Sequence, residues 1–125
     1  MKYLLDAHAL LWYFEDEGKL SKKAESIIDD PQNAIYVSSA TLWEIAVKIG
    51  LEKLDVDFNA LLVQVDHAGF HVVHTKNAYL QELIALPQIH KDPFDRLITV
   101  TAKIENMVLI TTDENIQKYD VQWVW

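Results

Sequence analysis

Apolar positions in this chain fall into two kinds of run. Short continuous runs occupy residues 2–5, 34–37, 70–73 and 107–111, the last reading "MVLIT". Such runs predict buried strands. Between them, apolar residues recur at helical spacing over residues 7–15, 21–29, 40–49, 59–67, 76–85 and 94–105. The punctuation agrees with these boundaries. Ser21 and either Ser38 or Ser39 are placed to cap helices, Gly50 and Gly69 to end them, and Pro31 and Pro87 to stop them. A brief helix is expected from Asp113, and residues 121–125 read as a last strand.

Strands that alternate with helices and are apolar throughout predict a mostly parallel sheet covered by helices on both faces, a three-layer α/β/α domain. At 125 residues, with no repeat and no Pro/Gly/Ser-rich linker, the chain is expected to be one domain spanning residues 1–125. In such sheets the functional crevice lies at the carboxyl ends of the strands. That rule gives the acidic residues a geometry. Asp6 and Asp113 follow strands. Glu44 lies one turn into the helix after the second strand. Asp95 lies in the first turn of the helix before "MVLIT".

Each acid also has an ordinary structural role open to it. Asp6 and Asp113 can cap helices, "TLWE" at residues 41–44 fits a capping box, and Asp95 complements a helix dipole. In "HKDPFDRL", residues 90–97, Asp92 reads as the N-cap, Pro93 as the first helical residue and Asp95 as an acid in the first turn. Taken together the acids are harder to explain. Two carboxylates ~5 Å apart repel by about 3 kcal/mol at an effective dielectric near 20. A divalent cation or protonation removes that cost. Hard oxygen ligands in a chain without cysteine suit Mg²⁺ or Mn²⁺ rather than structural zinc.

The net charge of −8 argues against broad attraction to nucleic acid, though not against a local cationic strip. The absence of cysteine excludes a disulfide framework. No apolar run is long enough to span a bilayer, and Asp6 interrupts the N-terminal apolar stretch, which is not read as a signal peptide. A cytoplasmic protein without membrane attachment is expected.

Four blocks carry a family likeness: "LLDAHALLW" (4–12), "VSSATLWEIAVKIGLEKL" (37–54), "HKDPFDRLITVTA" (90–102) and "TTDENIQKY" (111–119). In order, spacing and the acid within each, the chain resembles the PIN-domain ribonucleases, in particular the VapC-type toxins of toxin–antitoxin pairs. The resemblance covers nearly the whole chain. It implies a flavodoxin-like α/β/α fold and a metal-dependent endoribonuclease using Mg²⁺ or Mn²⁺. Its acidic positions fall on Asp6, Glu44, Asp95 and Asp113, which would hold the metal directly or through water. It further implies an RNA substrate, a homodimer and a cognate antitoxin on another chain.

Around these acids, Thr111, Thr112 and Ser39 are candidates to support a carboxylate, a metal water or a phosphate, with turn and cap chemistry as the alternative. Arg96, the only arginine, is a candidate RNA contact or a surface ion pair, and Lys48, Lys53 and Lys91 are candidate sources of positive potential. His8 stands near Asp6, whereas His67, His71, His74 and His90 show no metal-ligand spacing. Trp12, Tyr13, Trp43, Trp123 and Trp125 suit packing or an interface better than base stacking. The competing function is a catalytically inactive PIN-like module that binds RNA or protein. A phosphoacceptor domain is disfavoured because Asp6 stands alone and "LITTDEN" supplies no lysine. An Asp-x-Asp phosphatase is disfavoured because residue 8 is histidine.

Overall fold

Leu4 and Leu5 are adjacent, apolar and both fully buried, so the strand carrying them is covered on its two faces. The computed structural model describes residues 1–125, apart from the side chain of Glu17. Its elements run β1 (Lys2–Leu5), α1 (Ala7–Glu15), a 3₁₀ turn (Glu17–Lys19), α2 (Lys22–Asp29), β2 (Ala34–Ser38), α3 (Ser39–Gly50) and α4 (Phe58–His67). They continue with β3 (His71–Val73), α5 (Asn77–Ala85), α6 (Pro93–Glu105), β4 (Val108–Ile110), α7 (Glu114–Gln117) and β5 (Trp123–Val124).

All pairings in the sheet are parallel, in the order β3-β2-β1-β4-β5. Leu4 lies beside Tyr36 and Leu109, and Leu5 beside Val37 and Ile110. The three-layer expectation therefore stands. The order differs from the 2-1-3-4-5 of flavodoxin, because β3 continues outward beside β2 before the chain crosses back to β4. The direction of winding reverses between β1 and β4.

One face packs Leu5, Ile35, Val37 and Ile110 against Ala9 and Leu10 of α1, Ala24 and Ile28 of α2, Ile45 of α3 and Leu61 and Val65 of α4. The other packs Leu4 and Leu109 against Ile98 and Ala102 of α6 and Ile116 of α7. Beside it, Tyr79 of α5 joins Ala40, Leu97 and Val100. β4 is buried along its whole length.

Some boundaries shift for local reasons. Ser38, not Ser39, caps α3, its hydroxyl accepting from the Ala40 N–H at 3.0 Å. Gly50 is the last helical residue rather than the stop. The left-handed turn falls at Glu52 (φ 59°), where the Lys53 N–H reaches the Lys48 carbonyl at 2.9 Å. Asn106 (φ 56°) ends α6 in the same conformation.

Leu109 is wholly buried in the central part of the sheet. Leu109→Ala is expected to lower stability by about 2–5 kcal/mol through lost burial and a cavity. Urea denaturation checks this: the midpoint should fall with the slope unchanged.

Candidate active site

The carboxyl ends of β1 and β4 flank the point where the sheet reverses its winding, and two acids leave the sheet there. Asp6 follows β1 and caps α1, one oxygen accepting from the Ala9 N–H at 2.8 Å. Its other oxygen accepts the Thr111 hydroxyl at 2.5 Å. Thr111 follows β4, is fully buried, and accepts the Asp113 N–H on the same hydroxyl at 3.0 Å. Asp113 caps α7, with Oδ1 accepting from Asn115 and Ile116 at 2.8 and 3.1 Å. Asp92 caps α6, accepting from the N–H groups of Phe94 and Asp95 at 2.8 and 3.0 Å. Capping thus aims the starts of three helices at one edge of the sheet.

The imidazole of His90 stands where these starts meet. Its Nε2 lies 3.0 Å from Asp95 Oδ2 and 3.2 Å from Asp113 Oδ2. His90, Asp95 and Asp113 each offer one ligand-type atom, all within 4.8 Å of one another. Asp6, Glu44 and Asp92 line the same cleft of about 440 Å³, together with His8, Lys48 and Lys53. Glu44 is buried and pairs with Lys48 at 2.8 Å along α3. It does not close a capping box, because α3 begins earlier, at Ser39.

Burial and the crowding of acids both show in their proton affinities. Burial raises the Asp95 carboxyl to about 7; the charges of Asp92, Glu44 and Asp113 add to the rise, while His90 opposes it. Burial also raises Asp6, against the bonds from Thr111 and Ala9. Asp113 moves the other way: burial pushes it up, but the bonds from Ile116, His90 and Asn115 hold it below the usual carboxylate range. Lys48 is raised by its bond to Glu44, with Asp92 and Asp95 adding to the pull. The groups lining the cleft are mainly carboxylates, with two imidazoles and no thiolate, which fits a hard divalent cation held by the oxygens.

Thr111 is the supporting candidate that touches a site acid, Asp6, from beneath the cleft wall. Thr112 is exposed, Ser39 is half-buried, and neither lines it. Arg96 corrects both readings offered for it: it is neither a surface ion pair nor open to an RNA phosphate. Its guanidinium is buried and donates to the Pro87 carbonyl at 2.8 Å, the Tyr119 hydroxyl at 3.1 Å and the Leu86 carbonyl at 3.3 Å. Helix periodicity turns Arg96 inward, and the loop before α6 supplies carbonyls in place of an acid. Trp12 is half-buried, stacked on His8 and edge-on to Trp125, whereas Trp43 is 61% exposed with Phe94 against its edge. His90 is the cleft residue that spacing alone did not reveal. Its only sequence signal is its place two residues ahead of the Asp92 cap.

A family model for the PIN domain matches residues 3–122. The chain belongs to the PIN-domain family. Among solved structures, this PIN domain is similar to VapBC2 from Rickettsia felis bound to a fragment of its promoter DNA, at TM-score 0.73 and 16% identity over 99% of this chain and 98% of that one. VapBC-1 from nontypeable Haemophilus influenzae matches at TM-score 0.66 and 19% identity, covering 99% of this chain and 97% of that one. A toxin–antitoxin complex from Klebsiella pneumoniae matches at TM-score 0.63 and 20% identity, covering 98% and 96%. These likenesses establish the fold. No curated protein matches the sequence.

The raised Asp95 carboxyl has a consequence for the metal-free protein. Its folded pKa of about 7 exceeds the ordinary 3.8, so the folded state holds the proton longer than the unfolded chain does. Its contribution to stability therefore falls as pH rises from about 4 to about 7 and is flat above. Asp95→Asn removes a charge that burial and its acidic neighbours both penalise, and is expected to raise metal-free stability at pH 8 by about 1–3 kcal/mol, with little change at pH 4. Chemical denaturation at the two pH values, with chelator present, checks the direction.

Proposed function

We propose that this PIN domain is a divalent-metal-dependent endoribonuclease, the VapC-type toxin of a toxin–antitoxin pair. The supporting observation is the cleft at the β1/β4 reversal, where Asp6, Glu44, Asp92, Asp95 and Asp113 face one another in a domain of this family. Solved structures of the same fold include toxin–antitoxin complexes, which supports an antitoxin partner for this chain. A homodimer acting in the cytoplasm completes the reading.

Asp95 and Asp113 would hold Mg²⁺ or Mn²⁺ directly, with Asp6 and Glu44 as direct or water-mediated ligands. When bound, such an ion lowers the pKa of a water and polarises a phosphoryl oxygen. The chain's own groups set the geometry. Thr111 and the Ala9 N–H fix both oxygens of Asp6. The N-terminus of α7 fixes Asp113. Lys48, held beside Glu44, and Lys53 supply positive charge at the cleft for the RNA backbone, which an overall acidic molecule needs locally.

The test is incubation of the purified protein with total RNA, with and without Mg²⁺ or Mn²⁺, followed by mapping of the cut ends. Metal-dependent cleavage is expected. Asp6→Asn and Asp95→Asn should each lower it at least about 100-fold while circular dichroism shows the fold intact. Cleavage by either variant at the parental rate would refute the assignment, and metal binding without cleavage would favour the inactive module.

A further inference from the structure

His90 sits between two acids proposed to hold the metal, and two roles compete for it. Donors on adjacent corners of an octahedron of radius about 2.1 Å are about 3.0 Å apart, so its separations of 3.0 and 3.2 Å suit a shared ion as well as hydrogen bonds. The other ring nitrogen decides between them. The backbone N–H of Asp92 donates to His90 Nδ1 at 3.2 Å. Nδ1 is therefore the acceptor nitrogen, and in the neutral ring the proton resides on Nε2. A histidine that ligates through Nε2 needs the opposite arrangement, with Nδ1–H given to an acceptor. Here Nδ1 faces a donor.

The segment that carries His90 is itself pinned. The Tyr119 hydroxyl accepts the His90 backbone N–H at 2.8 Å and donates to the Pro87 carbonyl at 2.8 Å. Arg96, buried beneath it, donates to that hydroxyl and to the carbonyls of Pro87 and Leu86. A buried guanidinium surrounded by carbonyls rather than an acid is a costly arrangement, and apart from the Leu83 carbonyl at 3.4 Å its contacts converge on residues 86–90 or on the tyrosine that holds them.

We propose that His90 is a positioning residue. Its Nε2–H is given to the Asp113 carboxylate and lies against the Asp95 carboxylate at 3.0 Å, its tautomer is set by the Asp92 N–H, and its place is set by the Arg96–Tyr119 clamp. This deepens the metal-site reading and rests on it. Each contacted oxygen keeps a lone pair for a ligand, so the imidazole orients the acids without occupying them. Asp92 then acts twice, capping α6 with its side chain and fixing the imidazole with its backbone.

Three measurements test this. In protein carrying ¹⁵N-histidine, long-range ¹H–¹⁵N spectra should show His90 as the Nε2–H tautomer, both metal-free and saturated with Mg²⁺, the signal being assigned by its loss in His90→Ala. Calorimetric titration with Mn²⁺ should show affinity about 10–100-fold weaker in His90→Ala. His90→Gln, whose amide can donate from the Nε2 position, should restore most of it. Tyr119→Phe should also weaken Mn²⁺ binding, but not in the His90→Ala background, since it acts through that ring. An Nδ1–H tautomer with Mg²⁺, direct nitrogen coupling to bound Mn²⁺ in electron paramagnetic resonance, or parental affinity in His90→Ala would overturn the role given to His90 alone. A parent protein that binds neither metal would overturn the metal site and this role together.

Discussion

Carboxylates that repel one another are held together here by the edge of a parallel sheet. β1 and β4 end side by side, and Thr111 links Asp6 to the backbone of Asp113 across that edge. The sheet is covered on both faces, so these strand ends cannot drift apart without opening two cores. Packing therefore supplies what electrostatics opposes. The Asp95 carboxyl, raised first by burial and then by its acidic neighbours, shows the cost of that arrangement. Local disagreement with an otherwise consistent fold is the usual mark of a site with a task beyond stability.

Helix capping and convergence of the acids are the same fact viewed at two scales. A parallel strand delivers the chain to the sheet edge, and the helix that follows begins there. Asp6 and Asp113 are caps in the ordinary sense, and both face the cleft because strand ends and helix starts coincide. The backbone N–H groups that satisfy one oxygen of each acid also favour its charged form. For Asp113 those bonds, with His90, outweigh burial; for deeply buried Asp6 they do not.

Much of the architecture was legible because its signals are local. α1 covers Ala7–Glu15 as its spacing indicates, Pro93 opens α6, Asp92 caps it, and Gly69 takes the left-handed turn before β3. Gly50 misled, because a reversal at Glu52 let the helix run one residue further than glycine suggests. The last strand shortens to Trp123–Val124, since only those residues meet β4 in register. Arg96 was misplaced for a different reason: an arginine in a helix looks solvent-facing unless the carbonyls that receive it are known. Those carbonyls belong to a loop with no regular pattern.

The sequence by itself determined the alternation of strands and helices, the caps, and the position of each acid relative to a strand end, because these depend on neighbours within a turn or two of the chain. Tertiary structure alone decided that β3 lies outside β2, which acids meet, that Thr111 rather than Thr112 or Ser39 turns toward them, and that His90 stands among them. Those choices depend on contacts between residues far apart in the chain, such as Thr111 with Asp6 and Tyr119 with His90, and no local period encodes such pairings.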